Sequence, residues 1–95
     1  MTFQWNEEKN RLLREERGVC FEDVVLAIHE DRLLTVIPHP NNEKYPDQKL
    51  YVVEIGGYAY MAPFVRNDDG IFLKTVIPSR KMTRLYVKGK NDEPV

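Results

Sequence analysis

The stretch KLYVVEI-GG-YAYMAPFV, Lys49 to Val65, constrains the fold of this chain more than any other. Two runs of apolar, β-branched and aromatic residues flank Gly56–Gly57. A Gly-Gly pair accepts positive φ at both central positions of a tight turn, so the spacing predicts a β-hairpin. In the second run Tyr58, Tyr60, Ala62 and Phe64 alternate with Ala59, Met61, Pro63 and Val65. Both faces are apolar, which predicts a central strand covered on both sides, by helices and by a partner. Met61 and Phe64 are the side chains expected to anchor that partner.

The rest of the chain supplies the neighbours of this hairpin. RLLTVIP reads as a strand ended by Pro38, and HPNNEKYPDQ, with its prolines and asparagines, as a loop. RNDDG is a second turn and IFLKTVI the last strand. Upstream, WNEEKNRLLREERG predicts a helix: Asn6 caps it, Glu7 and Glu8 suit its positive end, and Gly18 suits a left-handed C-terminal position. A second helix starts at Phe21 after Cys20, with Phe21, Val24, Val25 and Ile28 on one face. Pro78 and Ser79 predict the opening of a short basic helix, SRKMTRLYVKGK. Helices, then strands, then a helix imply an α+β fold. Its expected form is two N-terminal helices, a four-stranded antiparallel sheet and a short C-terminal helix. Residues 1–90 form the expected single domain, and 91–95 a disordered tail.

Ninety-five residues support one small core. The apolar runs fall far short of the ~20 residues that span a bilayer, and no secretory signal pattern opens the chain. A single cysteine makes no internal disulfide, which fits a cytoplasmic setting without membrane association. Cys20, at a helix start, reads either as an activated thiol or as a substitute for a capping serine, and the second is preferred. Phosphate-loop, dinucleotide and serine-hydrolase motifs are all missing. His29 and His39 fall on different elements, so neither a dedicated metal site nor a cofactor is expected.

Charge is the remaining signal. The formal net charge is −1, yet Ile71 to Lys90 carries six basic residues and no acidic one. Residues 1–37 hold five Lys/Arg against eight Asp/Glu, and residues 38–95 nine against seven. Lys74, Arg80, Lys81 and Arg84 follow one another through the last strand and helix, with Lys88 further along. Lys49 opens a strand and Arg66 closes one, and in a four-stranded meander these ends are expected to meet over one sheet face, near His39. Such a set, poor in carboxylates, suits a substrate that is already an anion and gains negative charge in its transition state. RNA cleavage by its own 2′-hydroxyl is such a reaction, with Arg and Lys stabilising the phosphorane and a His, Lys or Tyr moving the proton. The competing reading is a solvated basic face without chemistry.

FQWNEEKNRLLREERGVCFEDVVLAI resembles the opening of BrnT-type toxins at Trp5, Asn6, Lys9, Gly18, Val19, Phe21 and Glu22. VIPSRKMTRLY is similar to that family's closing motif at Ile77, Arg80, Lys81, Thr83 and Tyr86. Lys49 and Arg66 stand where the family carries its strand-opening and strand-closing basic residues. Arg17, Cys20 and Pro78 replace a His, a Ser and a Ser of the family pattern. The resemblance implies a RelE-like fold and a metal-independent endoribonuclease that arrests translation. It also implies a cognate antitoxin encoded by an adjacent gene, which covers the basic face and can assemble with the toxin into a higher-order complex. On this resemblance Arg80, Lys49, Arg66, His39 and Lys74 are the expected catalytic residues, and Lys81, Arg84 and Lys88 the expected RNA contacts. The alternative left open is a non-catalytic module with the same fold that binds a protein or a nucleic acid.

Overall fold

Gly56 and Gly57 take φ of 61° and 82°, and the hairpin they close lies at the heart of the sheet. A computed structural model of the chain describes residues 2–88; the expected tail at 91–95 lies outside them. The elements run β1 (Phe3–Gln4), α1 (Glu7–Arg17), α2 (Phe21–His29), β2 (Leu33–Pro38), β3 (Lys49–Ile55), β4 (Tyr58–Asn67), β5 (Gly70–Leu73), β6 (Ile77–Pro78) and α3 (Arg80–Met82). A six-residue π-helical turn, Thr83–Lys88, continues α3. The domain is α+β. Its sheet has six strands rather than four, in the order β1-β5-β4-β3-β2, with β6 also paired to β4. The sheet is mixed rather than antiparallel, because β1 runs parallel to β5.

β1 exists because of Gly70. That residue has φ 137°, and a Cβ there would lie 2.1 Å from the Thr2 carbonyl oxygen. With no side chain in the way, this carbonyl accepts the Ile71 N–H at 2.8 Å and docks the N-terminus on the sheet.

The helices follow their sequence signals. Asn6 Oδ1 accepts the Lys9 N–H at 2.9 Å, and Gly18 at φ 70° donates its N–H to the Arg14 carbonyl. Between the helices sits a polar link. Asn10 is buried on α1; its Oδ1 accepts the Phe21 N–H and its Nδ2 donates to Glu22, both at 2.7 Å. One free amide at the start of α2 is thus satisfied from the preceding helix.

Leu13, Val19, Phe21, Val24 and Ala27 pack against Tyr51, Val53, Ala62, Phe64, Ile71, Leu73 and Val76 on one sheet face. On the other face Leu50, Val52 and Ala59 are also buried, and the C-terminal turn lies along β4. β4 is therefore central, with apolar groups buried on both sides, as its alternation predicts. Phe64 does not serve as a partner anchor. It is 4% exposed, and its ring stacks on Tyr51 with centroids 4.0 Å apart. Met61 is half-buried and, by strand parity, belongs to the opposite face.

The predicted strand IFLKTVI breaks after Leu73, and Pro63 supplies the reason. Its carbonyl accepts the Lys74 N–H at 2.8 Å, so its nitrogen faces the same neighbour but has no hydrogen to return the bond. Pairing resumes one residue out of step, with Met61 opposite Ile77. The shift turns Val76 into the core and leaves Ile77 at the surface. Pro78 consequently ends β6 instead of opening the helix. Ser79 alone caps, its Oγ accepting the Met82 N–H at 3.1 Å.

Candidate nucleic-acid interface

The register shift at Pro63 delivers the basic segment to the hairpin end of β4. Ala59 is the point of attachment. Its carbonyl accepts the Ser79 N–H at 2.9 Å, and its N–H donates to Thr83 Oγ1 at 2.8 Å. Thr83 also donates its hydroxyl hydrogen to the Ser79 carbonyl at 2.7 Å. These bonds fix both ends of one helical turn to the strand beside Tyr58.

A cleft of about 420 Å³ opens there, lined by Tyr58, Arg80, Thr83, Arg84 and Lys88. In an α-helix, residues four apart advance by about 40° beyond a full turn. The wider π-helical turn, with more residues per turn, offsets that drift and brings 80, 84 and 88 to the same cleft. Tyr58 is half-buried, and its ring meets Tyr60 edge to face at 5.9 Å. No carboxylate lines the cleft among the described residues.

Ion pairing sharpens the contrast between the two parts of the chain. Among the described residues Arg11 pairs with Glu8 and Glu15, Arg14 with Glu22 and Arg32 with Glu30, all within the first 32 positions. No cation from Lys49 to Lys88 pairs with a described carboxylate. Glu22 is engaged by Asn10 and Arg14, not by any cation of the basic segment. The Asn10 hydrogen bond holds the Glu22 carboxyl below its ordinary range.

The expected catalytic set does not converge. Lys49 lies opposite Phe64 in the register, and Arg66 follows two residues later on the same face. These two share the far end of the sheet with Tyr51, whose phenol is pushed up by burial against a lowering influence from Arg66. Eight residues of strand, about 26 Å, separate Tyr58 from Arg66. Arg80 therefore sits at one end of β4, while Lys49 and Arg66 sit at the other. Lys74 belongs to the opposite sheet face, its ammonium 5.4 Å from the Phe72 ring centroid. His39 stays in its loop, packed on Tyr45 at 4.6 Å, with Nδ1 accepting the Asn41 N–H. Lys81 is exposed and outside the cleft. The structure thus gathers Arg80, Arg84 and Lys88 at one end of β4, keeps Lys49 and Arg66 together at the other, and leaves His39, Lys74 and Lys81 outside the cleft.

Tyr58 is the cleft residue that sequence reading missed. Its signal was its place directly after Gly57, at the mouth of the hairpin. Cys20 is half-buried, and burial pushes its thiol up, which favours the capping-position reading. No three His, Cys, Asp or Glu side chains converge to hold a metal among the described residues, and no described helix is long and apolar enough to cross a membrane. Compared with family models, curated proteins and solved structures, the chain finds no match in any of the three.

Proposed function

We propose that the chain is a metal-independent endoribonuclease toxin of RelE-like fold, acting in the cytoplasm and neutralised by an antitoxin from an adjacent gene. One observation carries the reading: Arg80, Arg84 and Lys88 line a single cleft without a carboxylate among the described residues that line it. Three cations at four-residue spacing suit successive phosphates of a polyanion. Arg80, nearest the rigid Ser79–Thr83 turn, is the group for the scissile phosphate, because a planar guanidinium grips two of its oxygens. The 2′-hydroxyl gives up its proton as its oxygen attacks phosphorus, the P–O5′ bond breaks, the 5′-oxygen takes up a proton, and a 2′,3′-cyclic phosphate remains. Tyr58 and Lys88 are the cleft groups that can carry these protons. Induced expression should arrest growth and cleave mRNA, and co-expression of the neighbouring gene product should rescue both. Normal growth with folded, abundant protein would count against the proposal.

A second reading has its own support. His39, Lys49, Arg66 and Lys74 lie outside the cleft, so the cleft holds cations and a tyrosine but none of the other expected catalytic groups. That composition suits a module that binds RNA without cutting it. Retained RNA binding with no cleavage and no growth arrest would select it.

A further inference from the structure

Three features of the cleft go beyond phosphate binding. Its cations stand at four-residue spacing on one helical segment, an aromatic ring lines it beside them, and the segment is joined at Ala59 to the strand that carries that ring. A row of cations follows a sugar–phosphate backbone, and an aromatic ring beside such a row offers a surface on which one base can stack. The edge-to-face contact with Tyr60 occupies at most one face of either ring. It also holds the Tyr58 ring in place, so little ordering is needed when a base arrives. The cleft volume of about 420 Å³ falls within the ~300–1,000 Å³ typical of small-molecule sites, enough for one nucleotide unit but not a base pair with both backbones.

We infer that the cleft selects single-stranded RNA by stacking one unpaired base on Tyr58 while Arg80, Arg84 and Lys88 hold the flanking phosphates. This inference rests on the proposed RNA-directed function, and it assigns the substrate class and a specificity residue to that site. Base-paired RNA satisfies the cations but cannot present a base face to the ring without unstacking. Stacking also tolerates any base, so selection is by strandedness and only weakly by sequence.

The test is equilibrium binding of the full chain to a fluorescent, unstructured RNA 12-mer and to the same 12-mer annealed to its complement. Wild-type, Tyr58→Phe and Tyr58→Leu proteins are compared, each verified as folded by its melting curve. Leucine keeps apolar bulk and removes the π face; phenylalanine keeps the face and removes the hydroxyl. Tyr58→Leu should weaken single-strand binding by about 5- to 150-fold, the range of one lost base stack. Its duplex binding should change little, and Tyr58→Phe, which keeps the π face, should retain far more single-strand affinity than Tyr58→Leu. Equal single-strand affinity for Tyr58→Leu and wild type would overturn the inference, as would equal losses on both RNAs. The binding readout is independent of cutting. An RNA that is bound through Tyr58 but never cleaved defeats the nuclease proposal alone, and one that wild type cleaves but Tyr58→Leu binds as tightly as wild type defeats this inference alone.

Discussion

Thr83 and Ala59 are joined side chain to backbone: the Thr83 hydroxyl oxygen accepts the Ala59 N–H at 2.8 Å while its hydrogen goes to the Ser79 carbonyl. Thr83 is 2% exposed, so neither group has water to fall back on. Thr83→Val keeps the shape and leaves a buried strand amide unpaired. A loss of about 1–3 kcal/mol is expected from urea denaturation, with Thr83→Ser recovering most of it. If Thr83→Val unfolds at the wild-type midpoint, the junction is not held as described.

Gly70 and Gly57 both have positive φ, but only Gly70 has a close neighbour. A Cβ at 70 would meet the Thr2 oxygen at 2.1 Å, whereas at 57 nothing lies within 4 Å. Gly57→Ala should cost about 1–2 kcal/mol, the strain of a left-handed backbone alone. Gly70→Ala should cost more and detach β1, raising amide exchange at Ile71. Equal melting temperatures for the two variants would contradict the docking of the N-terminus.

Glu22 gives the acid side of the stability curve. Its carboxyl is depressed mainly by the Asn10 hydrogen bond, so the folded state binds its proton less readily than the unfolded chain. The contribution is fully present above the ordinary carboxylate pKa and is lost as pH falls through the lower folded value. Denaturation midpoints measured from pH 7 down to pH 3 should fall less steeply for Glu22→Gln than for wild type. Superimposable acid limbs would show that the Asn10–Glu22 bond carries no charge dependence.

Much of this fold is legible in the residues themselves. Gly56–Gly57, Asn6 and Gly18 announce their structures because each acts through its own backbone or its nearest neighbours. The parts that escape are set by long-range partners. The two residues of β1 become a strand only because Gly70 admits Thr2, and Asn10 becomes a core residue only when the start of α2 arrives beside it. Pro63 is visible as an interruption in a strand, yet its effect, a one-residue slip that turns Val76 inward and Ile77 outward, depends on which neighbour its nitrogen faces. The site follows the same rule. Spacing along one helical segment brings Arg80, Arg84 and Lys88 together, whereas Lys49 and Arg66 require the whole length of β4 to be placed.

In the proposed RNA complex the three cleft cations set a salt dependence. Contact with three phosphates of a single strand implies a slope of log Kobs against log salt near about −2, at ~0.7 per phosphate. Lys88→Ala and Arg84→Ala should each flatten it by about 0.7. Arg11→Ala, on α1 and paired with Glu8 and Glu15, should leave it unchanged. Equal slopes for wild type and Lys88→Ala, measured by fluorescence anisotropy, would remove Lys88 from the interface.

The central claim is that Arg80 stabilises charge on a phosphate undergoing cleavage. The direct measurement is single-turnover cleavage of an end-labelled mRNA fragment by the purified chain in EDTA, with ends mapped for 2′,3′-cyclic phosphate. Wild type should cut under these conditions. Arg80→Lys, although it keeps the charge, should be slower by about 10²-fold or more, as for the loss of other transition-state donors, while melting at the wild-type temperature. Cleavage by Arg80→Lys at the wild-type rate, or intact RNA at excess folded wild-type protein, would contradict the account.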